Sequence, residues 1–172
     1  MRRPPVLAFA LLVAAAAPVW ARGGPGTRRL PPRAAAAASF GDVGQGSWNW
    51  FGDPRAVYVG APYNEVFVGW LDWSGQVTIA AYNTQSGATS TEVIGQTYHD
   101  DHSSPSILVE PDKRLTVFYS AHNGSKMYYR TTINPADISA WGQLQQVPSN
   151  VKGSLGFTYP NPVLLAAEEN KL

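Results

Sequence analysis

Short apolar runs separated by turn residues repeat along the chain from residue 56 onward, and this pattern predicts β-strands. The runs are rich in valine, isoleucine, threonine and aromatic residues, which favour extended backbone. No segment shows a convincing helical period, so the sequence predicts an all-β fold. The predicted strands are Ala56–Gly60, Glu65–Asp72, Gln76–Tyr82, Ser90–Ile94, Ser106–Glu110, Arg114–Ser120, Lys126–Thr132 and Gln143–Val147.

The eight predicted strands form two similar sets of four. Pro54 precedes the first set and Pro105 the second, and a third copy begins at Pro160, so these prolines are 51 and 55 residues apart. Four short strands in a repeat of about 50 residues are typical of a β-propeller blade. A β-sandwich of about eight strands would also fit the spacing, but the recurrence of the repeats in register favours the propeller.

We therefore predict a partial β-propeller of four-stranded blades over residues 41–172. About two and a half blades are present. Each blade buries its faces against its neighbours, and we therefore expect the chain to be truncated, either as a fragment or as a gene model that ends early.

The N-terminal region has a different composition and predicts secretion. Arg2 and Arg3 precede an apolar run from Val6 to Trp20, and the small residue Ala21 follows, so residues 1–21 are predicted to be a signal peptide. An uncleaved anchor or an organelle transit peptide is the alternative. Residues 22–40 are rich in alanine, proline, glycine and arginine and predict a disordered linker. The mature protein is expected to be extracellular and to have no membrane span.

Charge and cysteine content narrow the possible partners. From Gly41 onward the chain has seven basic and twelve acidic residues, a net charge of −5, so nucleic acid is not an expected partner. The chain has no cysteine, which excludes disulfides and thiolate zinc sites. Asp100 and Asp101 alone do not define a calcium site. We predict no metal and no cofactor, and leave the oligomeric state open.

Two of the three histidines occupy related places in the second repeat. His102 lies just before its first predicted strand, and His122 lies at the end of its second. These two positions share one edge of an antiparallel sheet, so both side chains could point into one cleft. Asp100 and Asp101 could orient His102, bind a cation or cap the loop.

Five short motifs stand out along the chain: Trp50 to Arg55, Asp100-Asp101-His102 to Pro105, Phe118 to Gly124, Met127 to Arg130 and Tyr159 to Pro162. Together they resemble a family of propeller proteins with BNR-type repeats, which includes the seven-bladed ulvan lyases. The resemblance covers about residues 47–170. It implies a secreted polysaccharide lyase that cleaves an acidic, uronate-containing polymer by β-elimination.

The resemblance also implies roles for individual residues. His102 and His122 match the paired active-site histidines of the family, and Tyr159 matches its catalytic tyrosine. Histidine suits the base, since its pKa is near neutrality, and tyrosine can serve as the acid. The family neutralises the substrate carboxylate with an arginine beyond the tyrosine, which has no match here, so the chain could be an inactive fragment. Asn123, Arg55 and Arg130 are candidate substrate-binding residues.

Two other functions fit the same pattern. A non-catalytic carbohydrate-binding or adhesion propeller would use the same aromatic and polar cleft without turnover. A sialidase-like glycoside hydrolase would need an arginine cluster and a tyrosine–acid pair, which these motifs do not supply. Trp73 and the other tryptophans could stack on sugar rings or pack between sheets. An exposed tryptophan would favour the first role and a buried one the second.

Overall fold

The fold is described from a computed structural model of residues 1–172, and the described residues are 43–47, 49, 56–150 and 156–165. The predicted signal peptide, the predicted linker and Arg55 lie outside these residues. Within the described part of the chain there is no helix, and so none that could cross a membrane.

Among the described residues, eight strands form two four-stranded antiparallel sheets, and each sheet has its strands in chain order. The first sheet contains β1 (Ala56–Val59), β2 (Glu65–Leu71), β3 (Gln76–Asn83) and β4 (Thr89–Gln96). The second contains β5 (Ser106–Val109), β6 (Leu115–Ser120), β7 (Lys126–Thr131) and β8 (Gln145–Pro148). All eight predicted strands are confirmed, and most of their ends shift by only one or two residues.

The turns form where the sequence supplies residues that tolerate or stabilise reversed backbone. Gly75 in the β2–β3 turn has a φ of 82°, and Asn123 after β6 has a φ of 54°; this left-handed region suits glycine and asparagine. The Asp72 carboxylate accepts hydrogen bonds from the backbone N–H groups of Ser74 (2.8 Å) and Gln76 (2.9 Å). Burial would raise the pKa of Asp72, but these bonds and the Ser74 hydroxyl outweigh it and lower the pKa.

The core lies between the two sheets and is built from their inner strands. Its fully buried side chains include Phe67 and Ile79 of the first sheet and Ile107 and Val117 of the second. The strands furthest from the core are more exposed: every residue of β8 is exposed, and β4 has five exposed residues in a row. β1, at the other edge of the first sheet, is also exposed at Ala56 and Tyr58, so the core comes mainly from β2 and β3 of the first sheet and β5 and β6 of the second.

Three contacts show how closely the two sheets pack. A Cβ at Gly69 would lie 3.1 Å from the Pro105 ring, and one at Gly95 would overlap the hydroxyl of the buried Tyr119. Arg130 of β7 donates to the Ile94 carbonyl of β4 at 3.3 Å. Burial raises the pKa of Tyr119, although the Arg130 charge opposes the shift. The arrangement is consistent with adjacent propeller blades; the full propeller and its number of blades stay a prediction.

Residues 156–165 run beside the second sheet. Gly124 and Phe157 form an antiparallel bridge, with N–H···O distances of 3.0 and 2.8 Å between their backbones. The Ser106 hydroxyl donates to the Pro160 carbonyl, and Pro160 is buried. These bonds hold the segment against the start of β5 and the loop after β6.

Candidate functional site

The strand pairing of the second sheet brings the two predicted histidines to one edge. Ser106 at the start of β5 pairs with Phe118 near the end of β6. His102 precedes β5 and His122 follows β6, so the loops that carry them leave the sheet on the same side. The sequence therefore positions both side chains through the register of a single antiparallel pair.

His102 and His122 are in direct ring contact. Their ring centroids are 4.2 Å apart and their planes differ by 12°, which is a stacked arrangement. His102 is half-buried and His122 is exposed. Two imidazoles in contact can present one nitrogen each to the same bound molecule, and this pairing is the central feature of the candidate site.

The Asp100 carboxylate contacts both histidines. Its Oδ1 accepts a hydrogen bond from the His102 backbone N–H at 2.7 Å and lies 3.5 Å from His102 Nδ1. Its Oδ2 lies 3.4 Å from His122 Nδ1. A carboxylate beside Nδ1 favours the tautomer with the proton on that nitrogen, which leaves Nε2 able to accept a proton.

Asp101 supplies a second carboxylate to the pair. Its Oδ1 contacts His102 Nδ1 directly. The Nδ1 of His102 therefore contacts the carboxylates of both Asp100 and Asp101, whereas the Nδ1 of His122 contacts that of Asp100. Of the roles predicted for the two aspartates, orientation of His102 is the one that these contacts support.

Tyr159 reaches the same place from the end of the described chain. Its ring centroid is 5.4 Å from that of His102, and the planes are tilted by 37°. Its backbone has a φ of 55°, a value that a tyrosine adopts rarely and that clusters at functional sites. The Asn123 N–H donates to the Thr158 hydroxyl at 2.8 Å, which ties the histidine loop to the segment before Tyr159.

Residues 65–172 match the family described as BNR repeat-containing family member. The match extends over more than half of the chain and includes all of the site residues described above. The chain belongs to the BNR repeat-containing family. A comparison with curated proteins finds no match. Family membership suggests a carbohydrate-related β-propeller protein, and it confirms the repeat type that the sequence motifs indicated without identifying a reaction.

The three predicted substrate-binding residues of this BNR repeat protein do not all lie at the histidine site. Asn123 is next to His122 and within the site loop. Arg130 is near the end of β7, opposite Val117, and its guanidinium donates to the carbonyls of Gly142 (2.9 Å) and Ile94 (3.3 Å). These contacts account for the position of Arg130. A substrate-binding role for it stays a prediction, and the same role for Arg55 lies outside the described residues.

The carboxylate and imidazole atoms of the site in this BNR repeat protein are of the kinds that bind metal ions. One ligand atom from each of Asp100, His102 and His122 lies within 4.8 Å of the others. A zinc ion, however, lies about 2.0–2.1 Å from each nitrogen and close to the plane of each imidazole. Because the two rings are stacked nearly parallel, an ion in one plane lies well outside the other. The geometry therefore fits a carboxylate shared by two rings better than a shared ion.

Sequence reasoning missed two features of the site in this BNR repeat protein. It connected Asp100 with His102 but did not predict that Asp100 also contacts His122, which lies 22 residues further along the chain. It also left Trp73 among several tryptophans that could pack between sheets. The structure places Trp73 on the surface, where its ring stacks on His99. Trp73 lies two residues beyond the end of β2, so the burial pattern of that strand does not determine whether Trp73 is exposed.

Proposed function

We propose that this protein is a polysaccharide lyase that cleaves a uronate-containing polymer by β-elimination, on a β-propeller scaffold. The observation that carries the proposal is the stacked His102–His122 pair, with Asp100 beside both Nδ1 atoms and Tyr159 beside His102. This elimination requires a base, an acid that protonates the leaving oxygen and a hydrogen-bond donor that stabilises the substrate carboxylate, all close to one sugar unit.

In the proposed reaction, the nitrogen of one histidine takes the proton from the sugar carbon next to the carboxylate. The electrons of that C–H bond form a carbon–carbon double bond, and the bond between the neighbouring carbon and the glycosidic oxygen breaks. Tyr159 gives its phenolic proton to that oxygen. The products are a new hydroxyl end and an unsaturated uronate.

The second histidine has a separate task in this proposal. The carbon acid becomes more acidic when a hydrogen bond or a positive charge stabilises the growing negative charge on the carboxylate. The ring stacked on the base is placed to donate such a bond, and Asn123 beside His122 can add an amide donor. Either ring could be the base, so both histidines are expected to be essential.

The Tyr159 hydroxyl is buried in this structure. Its role as the acid therefore requires a local movement when the substrate binds. Hydrogen bonds in active sites commonly tighten only in the substrate complex. The segment that carries Tyr159 is joined to the histidine loop by the Gly124–Phe157 bridge, so a shift of one can move the other.

The experiment incubates the full chain with ulvan and with other uronate polymers and follows the ultraviolet absorbance of the unsaturated product. His102→Ala, His122→Ala and Tyr159→Phe should each lower kcat by about 100-fold or more. Tyr58→Phe is the matched control, because Tyr58 is exposed and hydrogen-bonds only weakly to Asn64 at 3.4 Å. Saturable binding without unsaturated product would replace the lyase with a carbohydrate-binding protein.

A sialidase-like hydrolase receives less support. Its chemistry needs arginines grouped around the substrate carboxylate. Among the described residues the two arginines are committed elsewhere: Arg114 pairs with Asp112 at 2.7 Å, and Arg130 bonds to backbone carbonyls.

A further inference from the structure

An exposed aromatic pair is formed by the β2–β3 turn and the segment that leads from β4 to the histidine site. Trp73 follows β2 and is 49% exposed, and its ring is stacked on that of His99, with centroids 5.1 Å apart and planes 26° apart. A tryptophan with one face covered and half of its surface exposed presents its other face to solvent. We call Trp73 with His99 the aromatic platform.

Backbone contacts hold the platform in position. The Thr97 N–H donates to the Gly75 carbonyl at 2.9 Å, which joins the turn that carries Trp73 to the segment that carries His99. The two segments approach so closely that a Cβ at Gly75 would lie 2.5 Å from the Thr97 carbonyl oxygen. Asp72 fixes the same turn through its hydrogen bonds to Ser74 and Gln76. A surface that is fixed before binding loses little entropy when a ligand stacks on it.

The platform is connected to the histidine pair through a single loop. His99 directly precedes Asp100, and three residues of extended chain span at most about 11 Å, which limits the distance between the Cα atoms of His99 and His102. The two repeats also correspond: Trp73 is two residues beyond the end of β2, and His122 is two residues beyond the end of β6. The first sheet thus carries an aromatic ring where the second carries a histidine.

We propose that the aromatic platform is a sugar-binding subsite, which stacks a pyranose ring of the polysaccharide a few units from the ring that is cleaved. The C–H groups on one face of a pyranose carry a slight positive charge, and the face of an indole ring is negative, so the two surfaces attract as well as exclude water. The chemical class of this ligand rests on the proposed function; the subsite itself rests on the exposure, stacking and location of Trp73.

The test separates binding at the platform from turnover at the histidines. Ulvan oligosaccharides of increasing length are titrated into the His102→Ala protein, which blocks turnover, and binding is followed by calorimetry and by tryptophan fluorescence. Trp73→Ala in that background should weaken the binding of long oligosaccharides about tenfold. Trp73→Phe, which keeps a smaller aromatic face, should recover part of the affinity. Tyr58→Ala removes another exposed aromatic side chain, at the other end of the first sheet, and should not change the affinity.

Kinetics in the otherwise unchanged protein give the second measurement. Trp73→Ala should raise KM for the polymer with little change in kcat, because the platform does not touch the reacting atoms. Unchanged affinity and KM in Trp73→Ala would overturn the subsite while leaving the lyase in place. Failure of the His102→Ala protein to bind any of the oligosaccharides would also overturn it. Loss of binding in Trp73→Ala, with no unsaturated product from any form, would retain the subsite and overturn the lyase.

Discussion

Replacement of Asp100 by asparagine should inactivate the histidine pair while leaving the fold intact. In Asp100→Asn the amide oxygen can keep the bond to the His102 backbone N–H, which is 2.7 Å from Asp100 Oδ1. The amide nitrogen then takes the place of Oδ2, which lies 3.4 Å from His122 Nδ1. A donor at that position favours the His122 tautomer with the proton on Nε2, and that nitrogen can no longer accept a proton.

The size of the effect follows from which contacts survive. His102 keeps Asp101, whose Oδ1 contacts its Nδ1, so the loss falls mainly on His122. Loss of the carboxylate that orients a catalytic histidine lowers kcat by about 10²–10⁴. Stability should change little, because Asp100 is partly exposed and its loop cap is retained. Asp101→Asn should instead act on His102, so the two variants probe the two rings separately.

The assay is the initial rate of unsaturated-product formation as a function of substrate concentration, with thermal unfolding measured on the same samples. Asp112→Asn is the matched control, since Asp112 has its own side-chain partner in Arg114 and lies in the turn at the opposite end of the second sheet. A normal kcat in Asp100→Asn would refute the orienting role. A fall in kcat that is accompanied by a lower unfolding temperature would show instead that Asp100 only stabilises its loop.

Three further predictions concern the scaffold. Gly95→Ala should lower the free energy of unfolding by about 1–3 kcal/mol, because its Cβ would overlap the Tyr119 hydroxyl. The loss should be smaller in a Tyr119→Phe background, which removes that hydroxyl. A double-mutant cycle that shows no coupling between the two positions would contradict this packing contact. Arg130→Met should lower the free energy of unfolding by about 1–3 kcal/mol, because the carbonyl of Ile94 loses its hydrogen-bond donor. A higher KM with unchanged stability would instead establish that Arg130 binds substrate. Hydrogen bonds from Ser139 and Asn134 lower the pKa of Asp137 below 3.8. Asp137 therefore stabilises the fold above that pH and loses its effect as the pH falls further, so the acid dependence of denaturant unfolding should be weaker in Asp137→Asn.

The strands could be predicted from the sequence because each is short and is bounded by strong turn residues. Asp72 with Gly75, and Asp112 with Lys113, end one strand and begin the next with little ambiguity. The antiparallel order within each set is then enough to predict that His102 and His122 lie at one edge of the second sheet. These features depend on neighbours in the chain, and local sequence determines them.

The parts that could not be predicted depend on contacts between distant segments. The approach of Tyr159 to His102 requires the bridge between Gly124 and Phe157, and no local pattern specifies that pairing. The contact of Asp100 with His122 spans 22 residues and depends on the exact direction of both side chains. Likewise, the exposure of Trp73 follows from how its turn leaves the sheet, which composition alone does not reveal.

The measurement that tests the central claim most directly is the chemical identity of the end groups formed when the full chain is incubated with ulvan. The account predicts an unsaturated uronate at each new non-reducing end, and it predicts that this product disappears in both His102→Ala and His122→Ala. Saturated end groups would show hydrolysis instead, and undiminished unsaturated product in either histidine variant would contradict the proposed role of the pair.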